Sequence, residues 1–515
     1  MKTNRKNPLR GIRKLFNRRM LIFFLILLQI VFTVVLLYRA IILRAILRAF
    51  SIVTALHLMT RNDKSAFKLS LVFLILLFPL FGGVFYWIFH SQTATVGFRM
   101  RLARIERNSQ EAFCRPDGVL SDALCTLPSQ GRLLQYFERN TPFPIYGHTQ
   151  TAYFGDGKEM LCALLKDIRS AERYVFLEYF IIGDGVMWQA VLDALCERVA
   201  NGVDVRIIYD DVGCFFTLPP SYERVLRQMG IQCEKFNRFH PFLTTLQNNR
   251  DHRKIAVIDG KIAYTGGINL ADEYIGERIR FGKWKDSAVR LCGDGAWSLT
   301  VMFLQTWGFL CKREEDYTCY RPHTACDETT DIRTDGWVQP YSDSPMDKEN
   351  VGEQVYLRII EQAQRYLYIT TPYLMIDDGM LAALQSAARS GVDVRIITPE
   401  IPDKPTVHFT TRSYYEGLID AGVKIYEYKG GFIHAKSFVS DDAVATVGTV
   451  NLDFRSLYLH FECGVCLYRT GSVADVKEDF LRTQEGSRPI TKKDCRANLP
   501  MRLFRNICRV FAPLM

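Results

Sequence analysis

Two long apolar runs open the chain. Residues 20–38 are apolar apart from Gln29 and Thr33, and residues 69–89 apart from Ser70, with Pro79 and Gly82-Gly83 inside the second run. Each has about 20 residues, the length at which an α-helix crosses ~30 Å of hydrocarbon, so both are predicted transmembrane helices. No small-residue cleavage site follows the first run, since Arg39 comes directly after Tyr38, and it is expected to stay in the mature protein. Between the runs, residues 39–68 form a basic loop or interfacial helix. Arg44 and Arg48 lie four apart on one helical face of 41–60. We read that stretch as interfacial, with a third span as the alternative, because an arginine at the centre of a span costs ~2.5 kcal/mol or more.

Beyond a connector at 90–139 the pattern changes to alternating strand and helix. Residues 173–179 read as a buried strand, 186–200 carry helical spacing, and 203–208 return as a strand. The same grammar recurs at 365–371, 379–389 and 391–397, and the heptapeptide Gly202-Val-Asp-Val-Arg-Ile-Ile208 reappears as Gly391-Val-Asp-Val-Arg-Ile-Ile397. The expectation is an α/β fold of two homologous lobes, 140–320 and 335–485, with mainly parallel sheets flanked by helices. A loop joins the lobes. The basic tail at 486–515 places Leu499, Leu503, Phe504, Ile507, Val510 and Phe511 at helical spacing, to dock on a lobe or to lie on a bilayer.

Charge sharpens this picture. Of the net +10 over 515 residues, the first 110 carry +16, from 18 Lys and Arg against Asp63 and Glu106, which leaves the rest at −6. A nucleic-acid binder would carry its basic surface on the folded lobes, so nucleic acid is excluded as a partner and a membrane is indicated. The residues at 1–19 form a basic tail without acids, and Arg99, Arg101, Arg104 and Arg107 follow the second run, which puts both flanks in the cytoplasm. The fourteen cysteines form no compact framework and fit a reducing compartment. Cys463 and Cys466 have the spacing of half a zinc site, but a strand would turn them to opposite faces. Cys311, Cys319, His323 and Cys326 match no zinc pattern, so no metal is expected.

Each lobe carries one chemical constellation. His252, Lys254, Asp259, Gly266 and Asn269 in the first recur as His434, Lys436, Asp441, Gly448 and Asn451, with Lys, Asp, Gly and Asn at +2, +7, +14 and +17 from each histidine. On a strand, positions i and i+2 share a face, so each histidine and lysine stand side by side. Asp259 and Asp441 complete the HxKxxxxD motif in a turn, where short acids bind backbone and fix the motif. Asn269 and Asn451 can donate amide hydrogens to a substrate phosphate. Two such motifs around one pocket suit a phosphodiester: the lysines neutralise oxyanion charge without a metal, one histidine attacks phosphorus, and the other protonates the leaving alcohol. Each imidazole needs an orienting carboxylate. Within its own lobe the candidates are Asp286, for His252, and Glu462, for His434.

These motifs, with Asn249-Arg-Asp-His-Arg-Lys-Ile255, Tyr264-Thr-Gly-Gly-Ile-Asn269, Thr371-Pro-Tyr373 and Val447-Gly-Thr-Val-Asn-Leu-Asp-Phe-Arg-Ser456, resemble those of bacterial cardiolipin synthases of the phospholipase D superfamily. The resemblance covers the chain from about residue 20 to its end. It implies a phosphatidyltransferase that needs no cofactor and converts two phosphatidylglycerol molecules into cardiolipin and glycerol through a phosphatidyl-histidine. A membrane phospholipase D using water or another alcohol is the alternative. The resemblance also implies a multi-pass protein of the bacterial cytoplasmic membrane with cytoplasmic lobes, contact with anionic lipids, and His252 as nucleophile.

Overall fold

The computed structural model describes residues 27–29, 31, 41–90, 93–239, 245–322 and 336–515. Most of the first apolar run, the basic tail before it, and His323 and Cys326 therefore lie outside the described residues. The stretch read as interfacial forms one continuous helix, Ile41–Thr60, and Ile41–Met59 is long and apolar enough to cross a membrane by length and composition. The second run is not one helix as expected. Helix Ser65–Leu77 ends ahead of Pro79 and helix Gly82–His90 begins after it. Proline has no N–H to continue the ladder and disfavours helical backbone at the preceding residue, and Phe78 sits at φ −120°, ψ 66°. The three helices share a small core of Ala55, Leu58, Ile75 and Tyr86, and Gly83 fits against Ser51, whose hydroxyl accepts its N–H at 3.2 Å.

The chain from Thr149 onward is built on two sheets. The first contains β1 (Thr149–Phe154), β2 (Tyr174–Tyr179), β3 (Asp204–Asp210), β4 (Gln232–Phe236), β5 (Lys254–Ile258), β6 (Ile262–Gly266) and β8 (Ala288–Gly293), in the order β1-β8-β6-β5-β2-β3-β4. A short strand, β7 (Lys283–Lys285), stands apart from it. The second contains β9 (Trp337–Asp343), β10 (Tyr366–Thr370), β11 (Asp393–Pro399), β12 (Lys424–Tyr428), β14 (Ser437–Ser440), β15 (Val444–Gly448), β16 (Glu462–Tyr468) and β17 (Ser487–Ile490), in the order β17-β12-β11-β10-β14-β15-β16-β9, with β13 (Gly431–Ile433) apart.

The sheets are mixed, which corrects the expectation of mainly parallel ones. Within these two sheets only β2-β3-β4 and β10-β11-β12 run parallel among the described residues, and every other pairing there is antiparallel. The reason is local. Parallel neighbours need a helical crossover such as Val186–Ala200 or Asp378–Arg389, whereas the motif strands β5 and β14 return through tight turns and must pair antiparallel with β6 and β15. The heptapeptide repeat is visible in the register: Val175 faces Val205 as Leu367 faces Val394. Strand β17 belongs to the second sheet, so the tail expected from 486 begins inside that lobe.

Helix Ala296–Cys311 is apolar on all sides and buried along nearly its whole length, as a core helix should be. Helix Leu499–Val510 docks on helix Pro405–Asp420, with Arg509 over the Tyr414 ring at 4.3 Å and Phe504 against Phe409. Leu499, Leu503 and Ile507 stay exposed on its other face.

Candidate active site

Each histidine stands just ahead of its motif strand, and each lysine stands two residues on. Both histidines and both lysines are buried, and each lysine ammonium donates to the carbonyl of its own motif histidine, Lys254 to His252 at 2.5 Å and Lys436 to His434. That contact ties each cation to the segment bearing the imidazole.

What brings the two motifs together is backbone pairing between the lobes. Strand β13, which leads into His434, pairs in parallel with β7, which leads into Asp286, and the His434 N–H donates to the Lys285 carbonyl at 2.6 Å. In the other half, Asp251 bridges Phe461 in parallel, the Phe461 N–H donates to the Arg250 carbonyl, and the His252 N–H donates to the Phe461 carbonyl, both at 2.9 Å. Each histidine is thereby placed one residue from a carboxylate of the opposite lobe. His252 Nδ1 lies 2.9 and 3.0 Å from the two Glu462 oxygens, and His434 Nδ1 lies 2.6 Å from Asp286 Oδ2. The expected partners are therefore exchanged. Asp286 serves His434 and Glu462 serves His252, because the pairings that deliver the histidines run between lobes.

The carboxylates are themselves held. Thr449 donates its hydroxyl to Glu462 at 2.5 Å, and the Ser287 N–H donates to Asp286 at 2.8 Å. The first-lobe counterpart of Thr449 is Gly267, where a Cβ would stand 2.0 Å from Asp286 Oδ1, so the shorter acid requires glycine there. Around His252, Arg253 pairs with Glu178 at 2.8 Å and Asp251 at 3.0 Å, while Arg250 pairs with the buried Asp210 at 2.9 Å. These pairs lock the residues on both sides of the histidine. Aromatic rings line the walls. Phe180 is 5.1 Å from the His252 ring, and Trp284, Tyr274 and Phe432 lie within 5.5, 5.8 and 5.9 Å of His434.

The electrostatics follow from burying four basic groups together. Burial first, then Lys254 and Lys436, push the His252 imidazole well below the usual histidine range. His434 falls to about 4 through burial and Lys436, opposed by Asp286. Burial pushes Lys254 down to about 8 and Lys436 to about 7. Asp286 is lowered as well, for a different reason: burial alone would raise it, but His434 and Lys436 hold it below the ordinary carboxylate value. The cluster of buried basic groups is thus short of negative charge, which favours an anionic ligand.

The remaining predicted residues do different work. Asp259, at φ 52°, accepts the N–H groups of Glu172, Arg173 and Tyr174, each at 2.8 Å. Asp441, at φ 58°, accepts those of Gln364, Arg365 and Tyr366 at 2.7 to 2.9 Å. Both cap the turn ahead of the strand that neighbours the motif strand. Asn269 accepts from the Ile181 N–H at 2.9 Å and donates to the Tyr274 hydroxyl at 2.7 Å, and Asn451 donates to Ser456 at 3.0 Å. The Asn269 amide keeps one further hydrogen for an oxyanion, whereas Asn451 also donates to Asp453 at 3.4 Å and has both hydrogens engaged.

Sequence reading missed His460. It approaches Glu462 at 3.7 Å, its ring is 5.7 Å from that of His252, and burial lowers it to about 4. It lies in the bend between helix Phe454–Tyr458 and β16, where its N–H donates to the Arg455 carbonyl at 2.9 Å, so strand alternation did not point to it. His252, His460 and Glu462 also place three donor atoms within 4.8 Å of one another, a nitrogen and oxygen set that a divalent transition metal could use. Cys463 and Cys466 are buried in β16 with their thiols pushed up to about 12 by burial, which is unlike a thiolate ligand pair.

A family model described as cardiolipin synthase, phospholipase D-like domain, matches residues 164–278 and 356–483. An uncharacterized protein of Streptococcus mutans is 42% identical over 466 residues, spanning 90% of this chain and 99% of its own length. A cardiolipin synthase of Halalkalibacterium halodurans is 33% identical over 453 residues, spanning 87% and 88%. Among solved structures, a phosphatidylserine synthase of Haemophilus influenzae superposes with a TM-score of 0.54 at 15% identity, covering 71% of this chain and 93% of that one, which shows a shared fold.

Proposed function

The chain belongs to the family of cardiolipin synthases with phospholipase D-like domains, and from that premise we propose that it transfers the phosphatidyl group of one phosphatidylglycerol to a second, releasing glycerol. The observation that carries this reading is the pair of crossed histidine–carboxylate contacts facing two buried lysines.

With Nδ1–H donated to Glu462, His252 presents Nε2 as a lone pair and attacks phosphorus in line, as the resemblance implies. Lys254 and Lys436 take up the charge that builds on the phosphoryl oxygens. His434, made cationic when the anionic substrate offsets the lysines, gives its Nε2 proton to the departing glycerol oxygen. Asp286 holds that imidazolium. The neutral His434 then removes the proton from a glycerol hydroxyl of the second phosphatidylglycerol. That oxygen attacks the phosphatidyl-histidine, the N–P bond breaks, and cardiolipin leaves with the site restored.

An apolar helix at Ile41–Met59 supports membrane anchoring. We assign the protein to the bacterial cytoplasmic membrane as a multi-pass chain, with basic flanks and both lobes on the cytoplasmic side. The alternative, a membrane phospholipase D, differs only in its acceptor. Incubating the purified full chain with labelled phosphatidylglycerol, with and without phosphatidylethanolamine, separates them. Cardiolipin and free glycerol are expected, and phosphatidic acid as the main product would favour the alternative.

A further inference from the structure

Among the described residues, two surface loops end in large apolar side chains that stand almost fully exposed. Phe216 is 89% exposed and Ile279 is 88% exposed, and Val186, 62% exposed, stands on the segment between them. A lone exposed apolar residue needs no explanation, but these three are joined to one another and to the two histidines.

The loop after β3 packs against the wall of the His252 side. The Cys214 N–H donates to the Asp210 carbonyl at 3.0 Å, the Cys214 thiol reaches the Phe180 carbonyl at 3.6 Å, and a Cβ at Gly213 would meet that same carbonyl at 2.0 Å. Phe180 is the ring beside His252. The loop before β7 is bound to the His434 side. The Lys283 N–H donates to the Gly430 carbonyl at 3.1 Å, and the Phe281 ring lies 6.2 Å from that of Phe432, which lines His434. Asp272 links the loops: its carboxylate accepts the N–H groups of Val186 and Met187, and its carbonyl accepts those of Glu277 and Arg278. The Asp184 N–H in turn donates to the Thr217 carbonyl at 3.3 Å.

Positive charge accompanies the apolar tips. Arg278 is exposed on the Ile279 loop, Lys283 is exposed at the start of β7, and Lys429 is exposed beside the Gly430 to which Lys283 is bound. Glu277 and Glu273 lie close by, but Lys158 pairs with the first at 2.9 Å and Arg280 with the second at 3.1 Å.

We propose that Phe216, Val186 and Ile279 form a rim that inserts into the acyl boundary of an anionic phospholipid bilayer, with Arg278, Lys283 and Lys429 at its headgroups, and so holds the mouth of the active site against the membrane. The proposal rests on the lipid-transfer reading and adds to it a surface that the chemistry does not require. A lipid phosphodiester must leave the bilayer to reach two buried imidazoles. A rim seated at the headgroup level shortens that path and shields the acyl chains from water while the phosphate enters. The alternating apolar and cationic residues Arg278-Ile279-Arg280 match that boundary, where an apolar tip and a charged flank are both satisfied.

The test uses the full chain reconstituted in phosphatidylglycerol vesicles, with Phe216→Trp and Ile279→Trp made separately and Val225→Trp, on the exposed surface of another helix, as control. In vesicles carrying acyl-brominated lipid, the fluorescence added at 216 and 279 is expected to be quenched and blue-shifted, and that added at 225 to remain as in water. Independently, the double variant F216S/I279S should lower the ratio of turnover on phosphatidylglycerol bilayers to turnover on monomeric dihexanoyl phosphatidylglycerol by about tenfold or more. Unquenched tryptophan at both positions overturns the proposal, as does protection of both by a second protein chain without lipid quenching. An unchanged ratio overturns it as well. Quenching does not depend on which product forms, so failure of the cardiolipin reading would show in the lipid products and leave this result standing.

Discussion

Glu462 holds the Nδ1 of His252 at 2.9 Å although the two stand 210 residues apart in the chain. Asp286 holds His434 in the same way at 2.6 Å across 148 residues. Neither lobe contains a complete acid–base pair of its own. Each histidine is paired with a carboxylate of the other lobe, Asp286 directly after β7 and Glu462 at the start of β16, which makes the site a property of the assembled lobes.

Replacing Glu462 by Gln should therefore disable His252, and replacing Asp286 by Asn should disable His434. Removing an orienting carboxylate while keeping its shape costs about 10² to 10⁴ in kcat, through the wrong tautomer and the loss of charge stabilisation. A double variant H252A/E462Q should be no slower than H252A alone, because groups that act as a unit are not additive. Additive losses in that cycle would argue against the crossed pair as a catalytic unit.

Acid quench during turnover, followed by mass spectrometry of the peptides, should find the phosphatidyl adduct on His252. His252→Ala and His434→Ala should each lower transfer by several orders of magnitude. An adduct found reproducibly on His434 alone would reverse the two roles.

Asp259 and Asp441 should behave as structural residues. Asp259→Ala removes the acceptor of three backbone N–H groups at a left-handed position, and a loss of about 2 to 4 kcal/mol is expected in thermal or urea unfolding. Turnover per folded molecule should fall far less than for His252→Ala. A variant of normal stability with no turnover would return Asp259 to the chemistry.

The pH dependence follows from the lysines. With Lys436 at about 7 and Lys254 at about 8 in the empty site, both lose their charge as pH rises through that range, and with it the attraction for phosphate. The profile of kcat/KM, which reports the free enzyme, should decline above about pH 7 to 8. The profile of kcat should hold to higher pH, because a bound phosphodiester favours the protonated lysines. A value of kcat/KM that climbs through about pH 9 would show that the charged lysines are not needed for capture.

Chelation should leave turnover unchanged, since the proposed mechanism takes its charge stabilisation from the two lysines. Loss of activity in EDTA with recovery on adding a divalent ion would direct attention to His252, His460 and Glu462, whose donor atoms lie together.

Much of this protein can be read along the chain because it depends on short-range periodicity. The apolar stretch 186–200 forms helix Val186–Ala200, and 173–179 forms Tyr174–Tyr179 as a strand. The repeated HxKxxxxD motif picks out His252 with Lys254 and His434 with Lys436 along the chain, although both histidines and Lys436 lie just ahead of β5 and β14 and not on them. The turn position of Asp259 and Asp441 is equally local, and so is the family resemblance that the motif carries.

Three features were decided by the tertiary structure. Sheet direction depends on which strand a tight turn folds back upon, so a helix–strand grammar that reads as parallel gave two mixed sheets. The partner of each carboxylate depends on pairings between lobes, of β7 with β13 and of Asp251 with Phe461, and no spacing within one lobe contains them. The depressed basicity of Lys254 and Lys436 comes first from burial, which exists only once both lobes have closed around the four basic groups. The chain sequence determines which groups are available and which face of a strand bears them. The contacts between groups far apart in sequence determine their partners, because a side chain's neighbours and dielectric surroundings are set by the whole packed core.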